Sequence, residues 1–237
     1  MIDRLWPEPA TDLSDDDLLP LRDGEWLRVN FVSSIDGSAT VGGLSGGLGT
    51  DADHRLFELL RRSTDAVLVG AGTVRAEGYG ALRVSDESAA WRAARGMPAH
   101  PVFVIVSGSL DLDPASEIFT EAPVRPVIVT TEGHDASAFL GLADVLVAGS
   151  ELDVPGMLAQ LRARGLARIL NEGGPSLFTS LLEAGVVDEL RLTVSPLVVG
   201  DHGKHITTGS FAQPVEARLG EILYGDGTLL YSYRFRA

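Results

Sequence analysis

Apolar and polar positions follow two rhythms along this chain. Short, nearly continuous apolar runs at 26–33, 66–69, 101–106, 126–130, 145–148, 168–170 and 189–195 have the length and β-branched content of buried strands. Helix-period patterns lie between them at 50–62, 155–164 and 176–184. This alternation predicts β/α crossovers and hence a largely parallel sheet. The C-terminal end reads differently: apolar runs at 219–224 and 228–235 flank Gly225-Asp226-Gly227, the signal of a tight hairpin. An α/β fold with a mixed, mostly parallel sheet and a C-terminal antiparallel hairpin is therefore expected.

Thr50-Asp51-Ala52-Asp53 has the spacing of a capping box at the start of a helix, with Asp in place of the usual Glu. Residues 1–24, rich in Pro and Asp, read as an irregular leader that wraps the domain or pairs with a second subunit. Residues 25–237 read as a single domain, with 85–99, a charged Ala/Arg-rich stretch, as its weakest break.

Two strand-to-helix junctions carry the chemical signal. In Asn171-Glu172-Gly173-Gly174-Pro175-Ser176-Leu177 the glycines allow close approach of a ligand to the backbone, and Pro175 suits a first helical turn. Unpaired amides and the positive end of the helix dipole then favour an anion. The second junction, Val69-Gly70-Ala71-Gly72-Thr73, lies about 100 residues upstream and repeats the arrangement. It lacks the third glycine of G-x-G-x-x-G, and no acidic residue ends a following strand at the usual interval, so the Rossmann scaffold is disfavoured. Two such turns at the carboxyl ends of buried strands would grip a pyrophosphate from both sides of a crevice.

A net charge of −14 argues against nucleic acid and anionic membranes as partners. It leaves room for small phosphorylated ligands, which local amides and a few cations can hold; Arg55, Arg75, Arg83 and Lys204 lie near glycine-rich turns. Lys204, the only lysine, reads as a solvated charge in the loop 201–205. The absence of cysteine rules out disulfides, thiolate catalysis and thiolate-held metals. No metal site is expected. No apolar run reaches membrane-spanning length, and the acidic N-terminus has no leader character, so a cytoplasmic, soluble protein is expected.

Four motifs in order, Asn30-Phe31-Val32-Ser33-Ser34-Ile35-Asp36-Gly37, Val69 to Val74, Glu172 to Leu177, and Val187 to Leu190 followed by Ser195 to Gly200, resemble one family. It is the reductase domain of the riboflavin-biosynthesis deaminase/reductase, and the chain looks closest to stand-alone pyrimidine reductases. The resemblance implies a three-layer dihydrofolate reductase-like fold, a homodimer, and NADPH bound at Gly70, Gly72, Thr73, Ser107, Glu172, Gly173, Gly174 and Pro175. Glu172 is expected to turn away from the pyrophosphate, onto backbone amides or a ribose hydroxyl. Ser107 falls where related reductases receive the adenosine 2′-phosphate.

On the substrate side, the resemblance assigns Asp36 the catalytic carboxylate, with Asn30, Ser33, Ser34 and Glu77 contacting an aminopyrimidine. The implied reaction passes a hydride to C1′ of a ring-opened ribosylamino group, turning ribosyl into ribityl, as for 5-amino-6-(5-phosphoribosylamino)uracil. Two departures, Ser38 for the family lysine and Glu77-Gly78-Tyr79 for Asp-Asp-Pro, fall on that side. They keep open a pterin reductase, because dihydrofolate also presents an aminopyrimidine edge that a single buried carboxylate can read. A dinucleotide-binding module without catalysis ranks below both.

Overall fold

The computed structural model describes residues 1–200 and 204–235. Ten strands form one sheet: β1 (Asp3–Trp6), β2 (Trp26–Ser33), β3 (Ala66–Gly70), β4 (Val102–Val106), β5 (Val127–Thr130), β6 (Asp144–Val147), β7 (Arg168–Asn171), β8 (Glu189–Val194), β9 (Arg218–Gly225) and β10 (Thr228–Arg234). Their order is β1-β9-β10-β8-β2-β7-β3-β4-β5-β6. From β8 to β6 all pairings are parallel, so the carboxyl ends of seven strands share one edge. The hairpin β9–β10 and the edge strand β1 add antiparallel pairs. The expected mixed α/β sheet with its C-terminal hairpin is what the chain forms.

Side chains of one strand alternate between the two faces. Ala66 and Leu68 of β3 join a core with α6 (Val154–Arg162) and α7 (Pro175–Glu183), whereas Val67 and Val69 pack on the opposite face with α3 (Ala71–Glu77) and α5 (Glu117–Thr120). Further along that second face, α2 (Asp51–Arg62) and the N-terminal segment cover Leu170, Leu223 and Leu230. Helices therefore cover both faces, which is why the strands read as continuous apolar runs.

Two sequence expectations change. Residues 1–24 are not irregular: β1 pairs with β9, α1 (Asp15–Leu18) follows Ser14 as cap, and Ile2, Leu13, Leu18 and Leu19 are buried. Segment 85–99 is not a break, because α4 (Asp86–Ala93) carries the fully buried Arg92, whose guanidinium donates to the carbonyls of Arg62, Thr64 and Pro98. Burial lowers the pKa of Arg92 to about 10, and the carbonyl oxygens around it satisfy its donors. Strand β8 lies between β2 and β10, so Leu190, Leu192 and Val194 belong to an interior strand, as their buried-strand pattern implies.

Candidate active site

Both glycine turns open on the shared carboxyl edge, where a cleft of about 930 Å³ runs across the strand ends. That size suits a drug-sized ligand or larger. Helix α3 begins at Ala71 directly after β3, and α7 begins at Pro175 after a Gly174 cap with φ 95°. The turns are laced together: Gly70 N–H donates to Gly173 O at 3.3 Å, and the buried Asn171 Nδ2 donates to Leu68 O and Gly173 O. A Cβ on Gly174 would stand 3.5 Å from Gly70 Cα, at a φ that disfavours side chains. Gly72 differs: it lines the cleft, and a Cβ there meets no protein atom within 4 Å.

Glu172 turns aside, but not to backbone amides. Its fully buried carboxylate accepts from Arg61 Nε at 2.5 Å and Nη2 at 2.6 Å, and from Tyr79 Oη at 3.2 Å. Helix α2 supplies Arg61 from its last turn, where a cation also complements the dipole. Burial works against the Arg61 charge, yet the facing carboxylate outweighs it and raises the pKa. Burial first, then the Glu172 charge, drives the Tyr79 phenol well above its usual value, so it stays a donor. The guanidinium lies 4.4 Å over Phe57. Bidentate pairing and stacking together fix a rigid wall beside the cleft.

At the β4 end, Ser107 is buried and lines the cleft, and its Oγ has no hydrogen-bond partner. Buried polar groups are nearly always paired, so this unpaired hydroxyl is an exception at the β4 end of the cleft. An open glycine turn, the start of α7 and an unpaired hydroxyl fit a dinucleotide laid across β7, β3 and β4.

Toward β2 and β8 the wall includes Asn30, Asp53, His54 and Glu77. Glu77 Oε1 accepts from Ser45 N at 3.0 Å, tying the glycine-rich loop 42–49 to α3. Asp36 stands elsewhere. Its exposed carboxylate accepts from Ser34 Oγ at 2.5 Å and from the amides of Val199 and Gly200 at 3.1 and 2.8 Å. The Ser34 hydroxyl foremost, then these amides, hold its pKa down to about 2. It clamps the exit of β2 to the exit of β8.

The profile of the RibD C-terminal domain family matches residues 25–228. The chain belongs to this family. A 2,5-diamino-6-ribosylamino-4(3H)-pyrimidinone 5′-phosphate reductase of Methanothermobacter thermautotrophicus is 30% identical over 180 residues, covering 74% of this chain and 79% of that protein. A pyrimidine reductase-like protein of Corynebacterium diphtheriae superposes with a TM-score of 0.82 at 27% identity, covering 90% of this chain and 92% of that one. The deaminase/5-amino-6-(5-phosphoribosylamino)uracil reductase of Thermotoga maritima shares the fold at a TM-score of 0.69 and 22% identity, over 90% of this chain and 57% of that one. The chain is thus an oxidoreductase of the riboflavin-pathway pyrimidine reductase type, a class that uses a nicotinamide dinucleotide.

In this RibD-type reductase, all eight residues expected at the cofactor, Gly70, Gly72, Thr73, Ser107, Glu172, Gly173, Gly174 and Pro175, line the one cleft. Of the substrate-side set, Asn30 and Glu77 line it, whereas Ser33, Ser34 and Asp36 do not. Sequence reasoning passed over Asp53, which it read only as a cap residue, and Arg61 and Tyr79. It also took Lys204 for a solvated loop charge, although Lys204 lines the cleft; residues 201–203 of that loop lie outside the described part. One signal was available for Asp53: an Asp in the capping-box position is too short to reach back as Glu does, which frees it for another task.

Proposed function

We propose that this reductase binds NADPH across β4, β3 and β7 and reduces the ribosyl group of a phosphoribosylamino-pyrimidine to ribityl. The observation that carries the reading is the continuity of one cleft from the unpaired Ser107 hydroxyl, past both glycine turns, to Asn30 of β2 and Asp53 of α2. Bound NADPH supplies the hydride. The amides at Gly72, Thr73 and the start of α7 hold its pyrophosphate, and Ser107 takes a 2′-phosphate oxygen. Arg61, Glu172 and Tyr79 keep the β7–α7 turn in place, so that donor and acceptor meet in a fixed geometry. Loop 42–49, tied by Glu77, shields the reacting ends from water.

The test is to mix the protein and NADPH with the diamino-pyrimidinone phosphate, the corresponding uracil phosphate and dihydrofolate separately, and to follow loss of reduced-nicotinamide absorbance. Oxidation by either phosphoribosyl compound supports the reading; oxidation by dihydrofolate alone replaces it with a pterin reductase, and oxidation by none removes it.

Asp36 enters this reading as a positioning residue. Asp36→Asn keeps one acceptor and loses the ionised form that both amides and Ser34 address, so the β2 and β8 exits loosen. Catalytic efficiency should fall by less than about tenfold, well below the loss of 10² to 10⁴ expected for a positioned acid or base. NADPH affinity should not change. A drop of a thousandfold in kcat would restore Asp36 to the chemistry.

The reading also includes a homodimer working in the cytoplasm. The side chains of Ile35, Leu197 and Val198 around the Asp36 clamp are exposed and offer an apolar contact. Sedimentation at micromolar concentration should give about twice the 25.1 kDa of one chain; a species of single-chain mass would end the dimer assignment.

A further inference from the structure

Helix α2 carries three stripes. Asp53, Phe57 and Arg61, each four residues from the next, and His54 beside them line the cleft. Ala52, Leu56, Leu59 and Leu60 are buried in one apolar cluster with Ile2, Leu13, Leu18 and Leu19 of the N-terminal segment. Arg55 and Arg62, two turns apart, make the third stripe, and neither lines the cleft.

Two adjacent carboxylates of α1 hold that third stripe. Asp15 Oδ1 accepts from Arg55 Nε at 2.9 Å and Nη2 at 2.6 Å, while its Oδ2 accepts from Arg62 Nη1 at 3.4 Å, so one side chain spans two turns of α2. Asp16 Oδ1 accepts from Arg62 Nη2 and from Trp91 Nε1, both at 3.1 Å, and its Oδ2 lies 3.6 Å from Arg95 Nη2. Arg55 Nη2 also donates to Leu13 O at 3.1 Å. The guanidinium carbons of Arg62 and Arg95 stand 4.6 and 3.9 Å from the centre of the Trp91 ring. Arg62 is itself buried, and a buried cation needs such partners.

The covalent approach to α2 cannot replace them. It is the loop 34–50, with glycines at 42, 43, 46, 47 and 49, and so permissive a backbone does not set the angle of the helix that follows. Hydroxyls of Thr228 and Thr193 reach only the start of the helix, at Thr50 and Asp53. The carboxylates at 15 and 16 also lie outside the region that the family profile matches, residues 25–228.

We propose that the N-terminal segment is a working part of the active site: Asp15 and Asp16 are positioning residues that hold α2 by its back, through Arg55 and Arg62, and so set its cleft-lining stripe against the compound to be reduced. In its kinetic form this rests on the reductase reading above. Helix α2 brings no hydride donor, so loosening it removes binding made alike in the ground and transition states, which raises KM and spares kcat. The dinucleotide side is protected, because Arg61 stays locked on Glu172.

The experiment compares the parent with Asp15→Asn/Asp16→Asn, which keeps size and acceptor oxygens and removes both charges. KM for the phosphoribosylamino-pyrimidine should rise by roughly tenfold, the combined effect of two partly exposed ion-pair groups, with kcat and NADPH affinity within about threefold of the parent. Asp12→Asn is the control: Asp12 is exposed in the same segment, its φ of 49° is one that Asn tolerates, and its KM should equal the parent's. A melting curve confirms that the variants fold. A folded double variant that melts lower but keeps its KM within about threefold, short of the expected tenfold, has lost structural support only and overturns the proposal. A fall in kcat without a rise in KM overturns it too.

Hydrogen exchange needs no turnover. In the double variant the amides of α2 should exchange about tenfold faster than in the parent, while those of β3 and β4 keep their protection. Parent-like exchange along α2 overturns the proposal whatever the kinetics. If no compound oxidises NADPH and α2 still exchanges faster in the double variant alone, the reductase reading falls and the hold of Asp15 and Asp16 on α2 stands.

Discussion

Gly72→Val is expected to fold like the parent and to lose dinucleotide binding. A Cβ at Gly72 meets no protein atom within 4 Å, and the residue sits in the first turn of α3 with nothing in its backbone that requires glycine. Two branched methyls would instead occupy the space through which a pyrophosphate reaches the amides after β3. Losing about two charge-assisted hydrogen bonds at roughly 1.5 kcal/mol each corresponds to a hundredfold or more in affinity. Gly174 is a poorer test of the same idea. Its φ of 95° and its closeness to Gly70 would strain the turn itself, so a loss of binding there would not separate cofactor contact from local folding. NADPH titration by calorimetry, with a melting curve beside it, reads both quantities. An affinity within about threefold of the parent in a folded Gly72→Val protein, against the hundredfold expected, would move the pyrophosphate elsewhere.

Glu189→Ala is expected to cost a large share of the protein's stability. The carboxylate of Glu189 is buried at the start of β8 and accepts from Arg28 Nε at 2.9 Å, Arg22 Nη1 at 3.3 Å and Ser232 Oγ at 2.6 Å. Arg191 Nε lies 2.7 Å away, in ion-pair contact though not aligned as a hydrogen bond. Burial pulls the pKa of Arg28 down to about 10 in spite of this partner. Removing Glu189 would leave Arg28 without a counter-charge between β7 and β8, which typically costs about 3–5 kcal/mol. For a chain of this size that lowers Tm by roughly 6–20 °C.

The pH dependence has a definite sign. Burial works to raise the Glu189 pKa, but the charges of Arg191 and Arg28 dominate and depress it below the ordinary carboxylate range. The stabilisation is present above the unfolded-state pKa and is lost as pH falls toward the folded-state one. The Tm gap between parent and variant should therefore narrow in acid. A loss of under about 3 °C near neutral pH, half the low end of the expected range, would show that Arg28 finds other partners.

The strands, the main helices and the two glycine turns were legible in the sequence because their signals are local. A buried strand needs four to eight consecutive apolar residues, and β2 starts and stops where its apolar run does, at Trp26 and Ser33. The hairpin follows from Asp226 and Gly227, which both adopt positive φ in the turn. The N-terminus of α2 follows from Thr50, whose side chain accepts from Asp53 N–H. In each case the deciding contacts lie within a few residues of one another, and so they leave a trace in the order of residues.

Tertiary structure decided which of these local pieces face the cleft. Asp36-Gly37 lies next to a strand end, and its position in sequence could not show that the amides of Val199 and Gly200, more than 160 residues away, would take up its carboxylate. The same limit hid the pairing of Glu172 with Arg61 across 111 residues, and that of Asp53 with Thr193 across 140. The N-terminal strand was invisible for a related reason: β1 is only four residues long at a sheet edge, and it forms because β9 offers it a ladder. A carboxylate's role depends on what surrounds it, and here the surroundings are set by the strand order β8-β2-β7-β3, which brings chain segments far apart in sequence to one edge.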